Sequence, residues 1–291
     1  MGLLELKELE MVPLFRGRIG NALGRSVFRW FSVDKLNALY DRNAHITGPD
    51  FAAAVLKDLG ISYQVGLAGL SVTGEACIEK VREMVGDGPF ITISNHPYGS
   101  LDGVAIADLM GHIRQDYKII VNKILARIKA LESNFITVTP TGEERTDPTA
   151  TSISGIRQAM LQLREGGGLG IFPSGAVSDK SLKDGCVRDR EWQEPIMRLI
   201  KKANVPVLPI RFFDGNSPLY YNLGLIDWKV RLLRLPAEVF NKSGKPFRIG
   251  VGALITPEEQ KQYDDIREFT AFLRSSVYEM ALPLYDRDSL I

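Results

Sequence analysis

The residues best suited to catalysis lie in one short segment, residues 95–103, which reads NHPYGSLDG. His96 and Asp102 flank a tight turn of Pro, Gly and Ser residues, and a helix is predicted to begin near Leu101. The turn can bring the Asp102 carboxylate onto the His96 ring, where it fixes the tautomer and leaves the other nitrogen free to accept a proton. This is the base half of a catalytic triad, and it needs no protein nucleophile if the substrate supplies the hydroxyl. The alternative is a structural histidine with Asp102 as a helix cap.

A second segment, residues 171–178 (IFPSGAVS), also leaves a predicted strand. Pro173 and Gly175 indicate a tight loop, in which Ser174 and Ser178 offer hydroxyls beside backbone N–H donors. Such a loop can bind a polar head group or stabilise a developing oxyanion. Taken alone, the segment is more typical of a plain turn after a strand.

The elements that must position these residues alternate between short apolar strands and helices. Unalternating apolar runs of this kind predict an α/β fold with a mostly parallel central sheet covered by helices on both faces. Ligand sites in such sheets lie at the carboxyl ends of the strands, where both segments fall. Pro206 and Pro209 indicate that the strand at residues 205–210 lies at an edge or carries a bulge, and Arg211 and Asp214 at its end are further candidates for the site. The strands and helices expected along the chain are strands at 90–94, 117–121, 135–139, 169–172 and 205–210, and helices at 101–113, 123–131, 150–164, 192–203 and 257–284.

The first 60 residues are predicted to form a helical extension to an α/β domain at residues 61–291. Residues 11–33 contain no acidic residue and interleave arginines with large apolar side chains, a pattern that suits a helix lying at a membrane surface. The alternative is a helix whose apolar face packs on the main domain. The predicted membrane contacts are Arg16, Arg18, Arg25, Arg29 and Trp30.

Composition excludes several classes of function. The chain has 291 residues and a net charge of +1, so it gives no overall reason to expect a nucleic-acid partner. Cys77 and Cys186 have neither metal-ligand nor redox spacing, and no metal site is predicted. No apolar run is long enough to cross a bilayer, and the amino terminus is too acidic for a secretion signal. We therefore expect a cytoplasmic protein that meets the inner face of the cytoplasmic membrane peripherally.

Together, NHPYGSLDG, FPSGAVS and VPVLPI resemble the ordered motifs of the lysophospholipid acyltransferase superfamily. Five residues separate His96 from Asp102, as in the hemolysin-like branch that includes ornithine- and glycine-lipid O-acyltransferases, whereas most of the superfamily has four. The resemblance implies that His96 is the general base and Asp102 its partner. It also implies an acyl carrier protein or coenzyme A thioester as donor, with no cofactor. The residues predicted to contact substrate are Asn95, Pro97, Gly99, Ser100, Lys123, Phe172, Pro173, Ser174, Gly175 and Ser178.

Two departures from the superfamily bear on the acceptor. Ser174 stands where a glutamate is usual, and the Phe135-Ile136 pair is not closely followed by the usual arginine, the first being Arg145. Both changes favour an acceptor without phosphate, namely a lyso-ornithine or lyso-glycine lipid. The second candidate is acylation of a lysophospholipid or of 1-acyl-glycerol-3-phosphate. A candidate from another class is a non-enzymatic lipid-binding or hemolysin-like module, which would have no use for the His–Asp pair.

Overall fold

The computed structural model describes residues 32–138, 150–183, 185–226, 228–286 and 290–291. The basic segment at residues 11–33 lies almost wholly outside the described residues, so its membrane role stays a prediction. Arg145 also lies outside them. Within the described ranges, no helix is long and apolar enough to cross a membrane.

The strands of the described residues are β1 (Tyr63–Leu67), β2 (Phe90–Ser94), β3 (Lys118–Asn122), β4 (Phe135–Val138), β5 (Gly168–Ile171), β6 (Asp179–Lys180), β7 (Val187–Arg188), β8 (Val207–Phe212) and β9 (Phe247–Val251). Seven of them form one sheet in the order β1-β9-β8-β2-β5-β3-β4, and β6 pairs with β7 in a separate hairpin. Neighbouring strands of the large sheet run parallel except β8 and β9, which are antiparallel. The predicted mostly parallel α/β sheet is therefore confirmed.

Helices cover both faces of this sheet. They are α1 (Val33–Asn43), α2 (Pro49–Leu59), α3 (Gly74–Val85), α4 (Ser100–Ile113), α5 (Ala150–Arg164), α6 (Glu194–Ala203), α7 (Pro218–Ile226), α8 (Trp228–Asn241), α9 (Pro257–Gln260) and α10 (Ile266–Tyr278). On one face, Phe90 of β2 belongs to an apolar cluster shared with α2, α3 and α4, and on the other, Ile91 joins a cluster with α5, α6 and α10. This alternation explains why β2 is buried at every position.

The helix α2 packs along α4 and contributes to the same core as the strands. Residues 49–59 are thus in close contact with the part of the chain that carries Asp102. The predicted division of the chain at residue 60 is not tested by this packing and stays a prediction.

The strand β8 lies inside the sheet between β9 and β2, so the edge position considered for it was wrong. The alternative, a bulge, agrees with the structure. Pro209 falls between the Val207–Ile255 bridge and the Ile210–Val251 pair, and the opposing segment has one extra residue there. Because the ladder is already interrupted at this point, the missing N–H of proline is tolerated.

Two predicted helices are divided in the structure. Residues 123–131 fall in two short 3-10 helices, Lys123–Arg127 and Lys129–Asn134. In the second of these, the carbonyl of Ala130 accepts the N–H of Gly48 (2.8 Å) instead of an N–H from the next turn of an α-helix. The closing helix is divided into α9 and α10, because Asp265 caps α10 by accepting the N–H groups of Arg267 (2.7 Å) and Glu268 (3.1 Å).

Candidate active site

The His96 loop, residues 95–99, connects β2 to α4 at the carboxyl end of the central strand. Gly99 reverses the chain with φ of +84°, a conformation that favours glycine. A Cβ atom at this position would lie 2.8 Å from Cγ2 of Val177. The reversal places the first turn of α4 beside the loop, which brings Asp102 to His96.

The two predicted catalytic residues meet in the structure. Nδ1 of His96 lies 3.0 Å from Oδ2 of Asp102, although its N–H is not aligned with the carboxylate in this conformation. Asp102 is fully buried and accepts the backbone N–H groups of Tyr98 (3.0 Å), Gly99 (3.1 Å) and Gly103 (2.9 Å). Asp102 therefore stabilises the start of α4 and orients His96, so the two interpretations of this residue are compatible. Catalytic hydrogen bonds are often misaligned before substrate binds.

The electrostatics of the pair determine when His96 can act as a base. Burial lowers the pKa of the His96 imidazole, but the charge of Asp102, its hydrogen-bonding contact with the ring and the charge of Asp189 together outweigh burial, so the pKa is raised above its ordinary value of 6.5. The imidazolium cannot accept a proton. Catalysis should therefore be lost as the pH falls through this raised pKa, and the loss should begin at a higher pH than for a free histidine.

A second buried carboxylate, Asp189, holds the His96 loop in place, and the sequence analysis missed it. Its Oδ1 accepts the backbone N–H of His96 (3.1 Å) and the hydroxyl of Ser178 (2.6 Å), and its Oδ2 accepts the indole N–H of Trp192 (3.2 Å). The carbonyl of His96 in turn accepts the N–H of Ser178 (2.9 Å). Asp189 is thus a positioning residue that joins three segments. Its only signal in the sequence is an acidic residue between two arginines, a pattern that is common on protein surfaces.

The FPSG loop, residues 172–178, lies against the His96 ring. The ring centroid of Phe172 is 4.3 Å from that of His96, and Gly175 turns the exposed tip of the loop with φ of +63°. Ser174 is buried, and its hydroxyl donates to the carbonyl of Ala176 (2.7 Å). The hydroxyl that replaces the usual glutamate is therefore engaged within the loop itself.

An apolar cavity of about 200 Å³ lies beside His96. Gly99, Ser100 and Gly103 contribute to its wall from the His96 loop and α4, and Phe172 and Gly175 from the FPSG loop. The hydroxyl of Ser100 is buried without a hydrogen-bond partner among the described residues. Most of the remaining wall is aliphatic or aromatic, including Ile119, Val121, Leu125, Phe135 and Ile171. A cavity of this kind can hold a hydrocarbon chain with its polar end at the histidine.

The other predicted contacts are distributed more widely. Asn95 and Pro97 line a second cavity of about 940 Å³, the polar cavity, together with Arg211 and Asp214 but without His96. The amide of Asn95 also bonds to the backbone of Phe212 in both directions (2.8 and 2.9 Å), which extends the pairing of β2 with β8.

Pro173 is buried and its carbonyl accepts the N–H of Gln193 (3.0 Å), which anchors the FPSG loop to the start of α6. Lys123 is exposed and lines neither of the two cavities. The five predicted membrane contacts lie outside the described residues.

Comparison with known proteins identifies the family. The family described as acyltransferase matches residues 51–285, which include the His96 loop, the FPSG loop and the whole sheet. The chain belongs to this acyltransferase family. The resemblance seen in the motifs is thereby confirmed, and the protein is an enzyme of the acyltransferase class.

Relatives of this acyltransferase include two curated proteins named lyso-glycine lipid O-acyltransferase. The protein of Bacteroides thetaiotaomicron is 23% identical over 254 residues, which cover 85% of each chain. That of Phocaeicola vulgatus is 23% identical over 255 residues, which cover 85% of this chain and 83% of the relative. Among solved structures, the 1-acyl-sn-glycerophosphate (LPA) acyltransferase PlsC from Thermotoga maritima matches 94% of this chain and 90% of its own, with 14% identity and a TM-score of 0.48.

Proposed function

We propose that this acyltransferase moves a fatty acyl group from a thioester donor to the hydroxyl of a lyso-lipid with an amino-acid head group, with lyso-glycine lipid as the leading candidate. The observation that carries the proposal is the His96–Asp102 pair, 3.0 Å apart, beside an apolar cavity that can hold a fatty chain. The names of the two curated relatives support the acceptor. The replacement of the usual glutamate by Ser174 supports a head group without phosphate.

The chemistry requires only the two substrates and the pair. Nε2 of His96 accepts the proton of the acceptor hydroxyl while the oxygen attacks the thioester carbonyl. The C–O bond forms, the C–S bond breaks, and the imidazolium returns its proton to the leaving thiolate. Asp102 stabilises the imidazolium during the step. The donor is an acyl carrier protein or coenzyme A thioester, and no metal or redox cofactor takes part in this proposal.

The acceptor also indicates where the enzyme works. A lyso-lipid with one long chain resides in a bilayer, so the site must come within reach of the cytoplasmic membrane surface. The acid-free segment at residues 11–33 supports peripheral attachment there, since basic residues near anionic lipid contribute about 1 kcal/mol each.

The test is ester formation by purified protein from palmitoyl carrier protein or palmitoyl-CoA and a lyso-lipid, followed by mass spectrometry. We expect faster transfer to lyso-glycine lipid than to lysophosphatidic acid. His96→Ala should lower turnover by about 10²–10⁴-fold. His112→Ala is the matched control and should keep normal turnover. It removes an exposed histidine of α4 whose ring lies 3.1 Å from the Asp50 carboxylate of α2.

Three results would contradict parts of the proposal. A higher rate with lysophosphatidic acid than with lyso-glycine lipid would contradict the proposed acceptor and favour a phosphate-bearing one. Near-normal turnover in His96→Ala would refute the mechanism. Lipid binding without ester formation from any donor would favour a lipid-binding module.

A further inference from the structure

The polar cavity lies against the His96 loop, since its wall includes Asn95 and Pro97, the two residues that flank His96 in the chain. The rest of the wall comes mainly from the segment after β8, the β6–β7 hairpin and the second half of α10. The proposed reaction step does not use this cavity. The neighbours of the proposed base in the chain therefore line this cavity, whereas His96 itself lines the apolar cavity.

Two arginines of this wall lack an acidic partner among the described residues. Arg211 donates to the carbonyls of Tyr278 and Met280 (3.1 Å), and its guanidinium stacks on the ring of Phe213, 4.7 Å from the centroid. Burial lowers the pKa of Arg211, which is the effect expected for a partly desolvated cation that no carboxylate compensates.

Arg274 shows the same arrangement on α10. It donates to the carbonyls of Asp189 (2.7 Å) and Arg190 (2.9 Å), and its guanidinium lies 4.9 Å from the ring centroid of Tyr278. The Tyr278 ring also contacts Arg211, at 5.9 Å. The Tyr278 ring therefore contacts both guanidinium groups.

The charge of the described wall is unbalanced. Its basic side chains are Lys180, Arg188, Arg211 and Arg274, and its acidic ones are Asp214 and Glu279. Asp214 is already paired with Arg248 through two contacts (2.6 and 3.1 Å). A concave surface with excess fixed cations attracts anions, and stacked guanidinium groups are well suited to bind a planar or tetrahedral oxyanion.

We propose that the polar cavity binds an oxyanion carried by a substrate, a carboxylate or a phosphate, through Arg211 and Arg274. The inference rests on the proposed function, which offers two sources of such a group. A lyso-aminolipid has its head-group carboxylate a few bonds from the hydroxyl to be acylated. A coenzyme A or carrier-protein donor brings the phosphate of its phosphopantetheine arm.

The test measures binding without turnover, so that it can fail or succeed independently of the proposed reaction. N-lauroylglycine, its neutral amide N-lauroylglycinamide, and coenzyme A are titrated calorimetrically into wild-type protein, Arg211→Gln and Arg267→Gln. Arg211→Gln removes the stacked cation without touching the bonds that Arg274 makes to Asp189. Arg267→Gln changes an exposed arginine of α10 that is not part of either cavity wall, and it should bind as the wild type does.

If the acceptor supplies the anion, the wild type should bind N-lauroylglycine more tightly than the amide, and Arg211→Gln should bind it about tenfold or more weakly. If the donor supplies it, the same loss should appear for coenzyme A. Arg188→Gln, at an exposed position, should give a smaller loss for the same probe, and this second variant serves if Arg211→Gln does not fold. The proposed site would be refuted if the wild type, Arg211→Gln and Arg188→Gln bound N-lauroylglycine with equal affinity and also bound coenzyme A with equal affinity. Anion binding through Arg211 in a protein that forms no ester would instead refute the proposed function and leave the site standing.

Discussion

Gly103→Leu tests whether the apolar cavity holds a fatty chain. Gly103 lies in the first turns of α4 and on the cavity wall, and a Cβ atom added to it would meet no heavy atom within 4 Å. The Cβ atom of a leucine is therefore accommodated without displacing its neighbours, and we expect the rest of the side chain to enter the cavity. The backbone N–H of Gly103, which donates to Asp102 (2.9 Å), is retained. The catalytic pair should thus stay intact while the cavity becomes shorter.

The size of the effect follows from the chain that leucine displaces. Its side chain occupies the space of roughly four methylene or methyl groups, and burial of each is worth about 0.8 kcal/mol. A long chain that loses these contacts should lose about 3 kcal/mol, which corresponds to a factor of about 100 in kcat/KM. A chain too short to reach this space loses nothing. Because leucine favours a helix over glycine by about 1 kcal/mol, the free energy of unfolding should not fall.

The assay compares kcat/KM for octanoyl and palmitoyl donors with one acceptor, and then for short- and long-chain acceptors with one donor. We expect the long-chain member of one series to lose about 100-fold while its short-chain member is unchanged. Gly103→Ala is the matched control, since it gives most of the helix stabilisation with little added volume. Equal changes for long and short chains in both series would refute the assignment of this cavity, as would a large fall in the melting temperature.

Three further predictions concern the pair, the turn and the membrane. Asp102→Asn should move the acid limb of the pH profile of kcat/KM to lower pH, because it removes the charge that raises the pKa of His96; an unchanged limb would contradict this. Gly99→Ala should lower the free energy of unfolding by about 1–3 kcal/mol in denaturant titrations, because its φ is +84° and its Cβ would meet Val177 at 2.8 Å; normal stability would show that the turn relaxes freely. Replacing Arg16, Arg18, Arg25 and Arg29 with glutamine should weaken cosedimentation with anionic vesicles, most clearly at low salt. Activity on detergent-solubilised substrate should stay unchanged. Unchanged vesicle binding would instead favour the alternative, in which residues 11–33 pack on the main domain.

The features that the sequence predicted correctly are those encoded locally. β2 is a short run of apolar and β-branched residues, and both of its faces are covered, so its pattern identifies it without reference to the rest of the chain. The approach of Asp102 to His96 also depends on only a few residues, because Gly99 and the first turn of α4 set it. Such features can be inferred from spacing and residue type alone.

The features that were missed depend on pairings between distant segments. Asp189 bonds to the backbone of His96, which is 93 positions away, and nothing beside Asp189 in the sequence indicates that contact. The wall of the polar cavity likewise combines residues from Asn95 to Glu279. Pro209 shows the same limit, since its tolerance inside the sheet depends on an extra residue in the opposing segment.

The two interpretations of Asp102 affect how its variants must be read. The carboxylate accepts three backbone N–H groups at the start of α4 and also orients His96. Asparagine offers one acceptor oxygen, and its amide would face an N–H group, so Asp102→Asn should destabilise the fold by about 1–3 kcal/mol as well as slow the reaction. Lower turnover alone would therefore fit a purely structural cap. A shifted acid limb would not, because it reports the charge that the carboxylate places beside the base, and it can be measured on the fraction of protein that remains folded.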